Sequence, residues 1–187
     1  MTLSKLALAL ALLVAGCSVA PQTPDTAKLT SADGAAREYK ELVSAAPWTV
    51  LVFVSAECPC LEAHLERLRA LSASYAPRGA QFVAVDSEVG RTKEMLAGEA
   101  RSLALGFPLL LDPGARVANA LGAEYATYSV VVDHEGIVRY RGGIDSDKRK
   151  LHDDATPYLR DALDDLLAGM PPRRAEGKTL GCMLRKW

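Results

Sequence analysis

Apolar residues along this chain group in two ways: some form unbroken runs, and others recur every three or four positions. The runs are Thr49-Val50-Leu51-Val52-Phe53-Val54, then Phe82-Val83-Ala84-Val85, then Phe107 to Leu111. Such runs, rich in β-branched residues, predict strands buried on both faces, as in a parallel sheet. Between the first two, Leu61, Leu65, Leu68, Leu71 and Tyr75 recur at helical spacing, with Glu62, Glu66, Arg67 and Arg69 among them. That pattern predicts an amphipathic helix. Met95, Leu96, Leu103 and Leu105 predict another over 90–105, and 115–121 predicts a short helix closed by Gly122. Tyr39, Leu42 and Val43 predict a short helix ahead of the first run. Strand, helix and strand in alternation argue for a βαβ unit with a right-handed crossover. Residues 127–133 and 137–141 flank His134-Glu135-Gly136 and predict a hairpin. A last helix opens at Thr156-Pro157, carries Leu159, Ala162, Leu163, Leu166 and Leu167 on one face, and stops at Gly169. The sum is an α/β domain with a mixed central sheet.

Composition narrows this picture. The chain has 187 residues, is 49% hydrophobic and carries a net charge of −1, which fits one globular domain with a sizeable core. No basic excess or basic-aromatic stripe points to nucleic acid. Residues 1–16 predict a signal peptide: Lys5 is followed by an apolar run, Leu6 to Val14, too short to span a bilayer. Its end, Val14-Ala15-Gly16-Cys17, resembles a bacterial lipobox, which implies lipidation of Cys17 and a membrane-anchored protein of the cell envelope, facing periplasm or exterior. Residues 17–33, with Ser18, Pro21, Thr23 and Pro24, predict a tether; 34–169 is the expected domain, and 170–187 a tail. An exported location permits disulfides.

The chemistry gathers where the first strand ends. After Ser55-Ala56 come Glu57-Cys58-Pro59-Cys60, directly before the amphipathic helix. A thiol there faces unpaired backbone N–H groups and the positive end of the helix dipole, both of which favour the reactive thiolate. Pro59 suits the first helical turn, where its missing N–H costs nothing. His64 follows Cys60 by four residues, the spacing of a two-ligand metal pair, although one such pair is weak evidence and a metal is not the main expectation. His134 reads as a solvated turn residue, and His152, in the polar run 145–154, as part of a solvated loop.

The segment Phe53 to Cys58 followed by a helix resembles the active site of the thioredoxin superfamily. Glu57-Cys58-Pro59 is more similar to the redoxin branch, related to the alkyl hydroperoxide reductase/thiol-specific antioxidant proteins, and the likeness runs from about Ser31 onward. The resemblance implies a thioredoxin-like three-layer α/β/α sandwich, a nucleophilic Cys58, and a substrate groove that includes Glu57, Pro59, Thr127 and Tyr128. Two departures stand out. The family's commoner pair is Cys-x-x-Cys, whereas Cys58 and Cys60 are two apart. The family also has a cis-proline at the start of the hairpin, where this chain has Thr127-Tyr128.

The fourth cysteine lies in Gly181-Cys182-Met183-Leu184, and redoxin-branch proteins often end in a similar segment. Residues two apart on a helix do not face each other, so a Cys58–Cys60 bond needs the first turn to unwind. A tail closes a long loop at only logarithmic cost. Cys182 is therefore the expected resolving partner, with Cys60 second. The expected function is thiol–disulfide exchange with protein thiols or disulfides, without a cofactor. Three alternatives stay open. One is a peroxiredoxin-like peroxidase, for which Ser55 matches the hydroxyl position but Leu51 replaces a proline, and Arg139 or Arg141 would supply the guanidinium. Another is a Cu(I) carrier using Cys58, Cys60 and His64. The last is a thioredoxin-fold module without turnover.

Overall fold

The computed structural model describes residues 24–187. The signal segment and Cys17 lie outside the described residues, as does the first part of the tether. Seven strands make one sheet: β1 (Lys28–Thr30), β2 (Ala36–Glu38), β3 (Trp48–Val54), β4 (Ala80–Asp86), β5 (Leu109–Leu111), β6 (Ser129–Asp133) and β7 (Val138–Gly142). Their order across the sheet is β2-β1-β5-β4-β3-β6-β7. β3, β4 and β5 run parallel, while β6 and β7 on one side and β1 and β2 on the other are antiparallel. Among the described residues there are five α-helices, α1 (Tyr39–Ser44), α2 (Pro59–Tyr75), α3 (Lys93–Leu103), α4 (Arg116–Leu121) and α5 (Tyr158–Leu167), and two single 3-10 turns at Ala76–Arg78 and Pro113–Ala115.

The strand assignments follow burial. Val50 to Val54 are each fully buried although successive side chains point to opposite faces, so both faces of β3 are covered. Each such Val, Leu or Phe contributes roughly 1.5–3 kcal/mol of transfer free energy. α2 buries Leu61, Leu68, Leu71 and Tyr75, and α5 buries Leu159, Ala162, Leu163 and Leu166. The Tyr75 hydroxyl donates to Asp164 at 2.7 Å, tying α2 to α5.

Three segments differ from the sequence expectation. The tether ends earlier than residue 33: Leu29 is fully buried, and β1 pairs with β2 and, through Thr30, with Leu111 of β5. A short, turn-rich stretch with one large apolar residue carries almost no strand signal, and the exposed edge of β5 supplies the missing template. The tail is also held against the sheet. Arg141 of β7 donates its N–H to Ala175 O at 3.0 Å and accepts from Gly177 N–H at 2.9 Å. α5 begins at Tyr158 with Pro157 in the cap position, one residue later than expected.

Candidate active site

The parallel strands end at one edge of the sheet. Val54 of β3 is level with Asp86 of β4, and Asp86 with Leu111 of β5; antiparallel β6 begins at the same edge, where Ser129 pairs with Val52. Crevices outside the carboxyl ends of strands are where α/β sheets hold their chemistry. Here the edge gathers Cys58, the loop after β4, the turn before β6, and the tail.

Cys58 is the N-cap of α2, in extended conformation with φ −89° and ψ 111°, and Pro59 occupies the first helical turn. Its N–H donates to Ser55 O at 3.1 Å, which closes the corner after β3, and its carbonyl accepts from Glu62 N–H at 3.1 Å. The Cys58 side chain accepts no capping hydrogen bond from the helix backbone. It is joined by a disulfide to Cys182, 124 residues away, with the Cα atoms 5.7 Å apart. Among the described residues the free cysteine is Cys60, 2% exposed. The Sγ atoms of Cys58, Cys60 and Cys182 all lie within 4.8 Å of one another.

The tail reaches Cys58 as an added strand. Ala126 N–H donates to Cys182 O at 2.8 Å, Leu184 N–H donates to Glu124 O at 2.9 Å, and Tyr125 bridges Met183 in antiparallel sense. On the other side Val89 N–H donates to Arg185 O at 2.7 Å. Side chains alternate as the pleat requires: Leu184 and Lys186 are buried, while Met183 and Trp187 point outward. Lys186 Nζ donates to Ala123 O at 2.9 Å and to Glu124 at 2.8 Å. Gly181 is the point of closest approach: a Cβ there would lie 1.8 Å from Ala126 O. Arg185 pairs with Glu88 at 3.3 Å and with exposed Glu57 at 3.8 Å. Burial would raise the Glu88 carboxyl, but the Arg185 hydrogen bonds and charge hold it below its ordinary value.

The turn before β6 is built without proline. Among the described residues every peptide bond is trans, and Thr127 takes the left-handed conformation at φ 70°. For a β-branched residue that conformation is strained. It is held from both sides: Thr127 N–H donates to Phe53 O at 2.8 Å, and Phe53 N–H donates to Tyr128 O at 2.8 Å. Tyr128 is half-buried against Phe53, with ring centroids 6.3 Å apart, and burial raises its hydroxyl pKa. Thr127 is thus buried beside the tail, and Tyr128 lines the strand that anchors it.

Behind the thiols lies a charged cluster that the sequence did not announce. His64 is 2% exposed. Its Nδ1 lies 2.7 Å from Cys60 O and its Nε2 lies 3.1 Å from Asp145 Oδ1. Both partners are acceptors, so the imidazolium, with two N–H donors, is the form that satisfies both. Burial pulls its pKa down, but Asp145 and the Cys60 carbonyl outweigh that, and the net shift is upward. Arg67 donates to Asp145 at 2.6 Å and to Asp147 at 3.0 Å. Asp147 also accepts from His152, and its carboxyl is lowered to about 2. The alternative that used His64 as a metal ligand with Cys60 is not favoured by this geometry: both ring nitrogens are taken, and the contact to Cys60 is to its carbonyl. The loop 145–154 is likewise not simply solvated, since Asp145 and Asp147 are buried while His152 is exposed. His134 is exposed in the hairpin turn at the end of β6 away from Cys58. Arg139 is held by Asp133 and Arg141 by Glu176, so each guanidinium proposed for a peroxidase is engaged by a carboxylate.

Comparison with known proteins bears on the fold and the family. A hypothetical protein from Sinorhizobium meliloti 1021 superposes with a TM-score of 0.76 at 27% identity, covering 90% of this chain and 95% of that one. An uncharacterized conserved protein from Geobacillus kaustophilus gives 0.77 at 26% identity, covering 89% and 91%. The fold is shared by a secreted Mycobacterium tuberculosis disulfide oxidoreductase homologous to Escherichia coli DsbE, with a TM-score of 0.50 at 18% identity over 60% of this chain and 80% of that one. A thioredoxin-like protein from Aeropyrum pernix is similar to the same degree, with a TM-score of 0.50 at 22% identity, over 64% of this chain and 81% of that one. No match is found among curated proteins. The sheet is thus thioredoxin-like, and the sequence pattern of the AhpC/TSA family matches residues 19–141, more than half of the chain, so the protein belongs to that family.

Proposed function

We propose that the protein is a thiol–disulfide oxidoreductase of the cell envelope, with Cys58 as nucleophile and Cys182 as the second, resolving thiol. The observation that carries this is the bond between Cys58, at the N-cap of α2, and a tail cysteine docked by backbone pairing. A thiolate at a helix N-terminus is stabilised by the dipole and the free N–H groups of the first turn. In the reduced protein the Cys58 thiolate attacks one sulfur of a substrate disulfide, forming a mixed disulfide and releasing the other sulfur as a thiol after protonation. The Cys182 thiolate then attacks Cys58 Sγ. This releases the second substrate thiol and leaves the Cys58–Cys182 disulfide. Two electrons pass from the protein to the substrate, and the same steps reversed oxidise a substrate dithiol. Glu57, Pro59, Thr127 and Tyr128 frame the groove that an extended substrate segment would enter when the tail is displaced. Lipidation of Cys17 would fix this chemistry at a membrane surface, where exported proteins form disulfides.

The test is disulfide exchange with a model protein substrate. Cys58→Ser should abolish it, and Cys182→Ser should trap the mixed disulfide, visible by mass spectrometry. If Cys60→Ser traps it instead, Cys60 is the resolving thiol. Fast formation of a Cys58 sulfenic acid with hydrogen peroxide, with negligible exchange, would favour the peroxidase reading. Loss of membrane association in Cys17→Ala tests the anchor.

A further inference from the structure

We infer that reduction of the Cys58–Cys182 bond opens a three-thiolate site for one Cu(I) ion, made by Cys58, Cys60 and Cys182. The inference uses a cysteine that the exchange steps above leave idle and does not depend on their occurring. Two of the three cysteines, Cys58 and Cys60, are 2% exposed, and Cys182 is half-buried, so the three sulfurs converge in a pocket largely closed to water. All three Sγ atoms already lie within 4.8 Å of one another. A metal at about 2.3 Å from three sulfurs in a plane sets them about 4 Å apart. Cys60 therefore needs little movement, and the two bonded sulfurs need only part. The tail can supply that motion, since Cys182 sits on a docked strand and not in the core.

The ligand set selects the ion. Thiolates are soft donors that suit Cu(I), which accepts three-coordinate sulfur, whereas Zn(II) in closed sites takes four ligands. Among the described residues no nitrogen ligand stands ready: the His64 ring faces Cys60 O and Asp145 with its two nitrogens. The nearby carboxylates Glu57 and Glu88 are engaged by Arg185. The positive end of α2 helps offset the excess negative charge of three thiolates around a monovalent ion.

Loading requires the disulfide to be opened first. A dithiol reductant gives two electrons to the Cys58–Cys182 bond and becomes a cyclic disulfide, leaving two protein thiols. Cu(I) then displaces the thiol protons as it binds. Oxidation of the tail bond and metal binding are mutually exclusive, because both use the same two sulfurs.

The experiment is anaerobic. The full chain is reduced with dithiothreitol, desalted, checked by circular dichroism for a retained fold, and titrated with Cu(I) against a chromophoric Cu(I) chelator. One ion per chain is expected in the reduced protein and none in the oxidised protein. X-ray absorption should show a shell of three sulfurs and no nitrogen. Cys60→Ser and Cys182→Ser should each weaken binding by roughly a hundredfold or more, at least the loss seen for removing an outer-shell partner. His64→Gln should leave the stoichiometry at one. Equal binding by the oxidised protein, unaltered affinity in Cys182→Ser, a nitrogen in the shell, or displacement of Cu(I) by equimolar Zn(II) would each overturn the inference. Because the readout is binding, its failure leaves the exchange assay untouched, and failure of exchange leaves the titration interpretable.

Discussion

Gly181→Ala isolates how much the docked tail contributes to the disulfide. The new Cβ would lie 1.8 Å from Ala126 O and 2.9 Å from Ala126 C, both backbone atoms that no side-chain rotation can move away. The tail must therefore lift at this point. Lifting endangers the Ala126–Cys182 and Leu184–Glu124 hydrogen bonds, each contributing about 1 kcal/mol, and the burial of Leu184, about 2 kcal/mol. Allowing for partial relaxation, about 3 kcal/mol of docking free energy is lost. That lowers the effective concentration of Cys182 at Cys58 roughly 150-fold, by the rule that about 1.4 kcal/mol is tenfold. The disulfide becomes easier to reduce by about 65 mV, since 30 mV corresponds to about 1.4 kcal/mol for a two-electron couple. Equilibration in glutathione buffers of graded potential, with alkylation and mass spectrometry of the quenched protein, measures the shift. Gly98→Ala in α3, where the new methyl meets nothing within 4 Å, is the control and should leave the potential unchanged. A Gly181→Ala potential within 15 mV of the parent, a margin of roughly 0.7 kcal/mol, would show that the bond holds the tail without help from the groove.

Three further outcomes are expected. Cys182→Ser removes a cross-link that closes a loop of 124 residues; the chain-entropy relation puts the loss of stability at up to about 5 kcal/mol, readable from urea midpoints with the parent kept oxidised, and no change would mean the reduced chain is already restrained. The folded-state pKa of His64 is raised above its ordinary 6.5, so its contribution to stability is complete below about 6.5 and is lost as pH rises through the higher folded value. The stability gap between the parent and His64→Gln should therefore narrow from pH 6 toward alkaline pH, and a gap that widens over that range contradicts the imidazolium assignment. Thr127→Gly relieves left-handed strain of roughly 1–2 kcal/mol and adds glycine's entropy cost of roughly 0.5–1 kcal/mol; a net change under about 1 kcal/mol is expected in urea, and a loss above 2 would assign the position to side-chain packing.

The central strand and its helix were legible because their signals are local. The run from Val50 to Val54 and the Leu61, Leu68, Leu71 spacing need no distant partner to be read. The placement of Cys58 at the helix start followed from the same two patterns. What stayed hidden depends on residues far apart in the chain. β1 is three residues long and exists because β5 offers an edge. The His64–Asp145 contact spans 81 residues, and neither partner carries a local signature; a histidine on the buried side of an amphipathic helix was the one hint. The turn at Thr127 was opaque for another reason. Its conformation opposes the preference of a β-branched residue, so local propensity pointed away from it, and the hydrogen bonds with Phe53, 74 residues away, help enforce it. The buried acids of loop 145–154 read as solvated because a run of charges is usually exposed; Arg67, reaching from α2, inverts that.

The alternation of the docked tail has a consequence for how this sequence can drift over generations. The hydrogen bonds that pair residues 182–185 with the 124–126 segment and with Val89 are made by main-chain atoms, which any amino acid other than proline supplies; the Arg185–Glu88 side-chain bonds add to them. Heritable constraint then falls on alternate positions. Leu184 and Lys186 fill enclosed space and Gly181 has no room for a side chain, whereas Met183 and Trp187 are 69% and 84% exposed. Descendant sequences should therefore diversify at 183 and 187 while 181, 182, 184 and 186 stay nearly fixed. A comb of that kind, set by the pleat of one added strand, would distinguish the lineage of this terminal clasp from chains that merely happen to carry a cysteine near their ends.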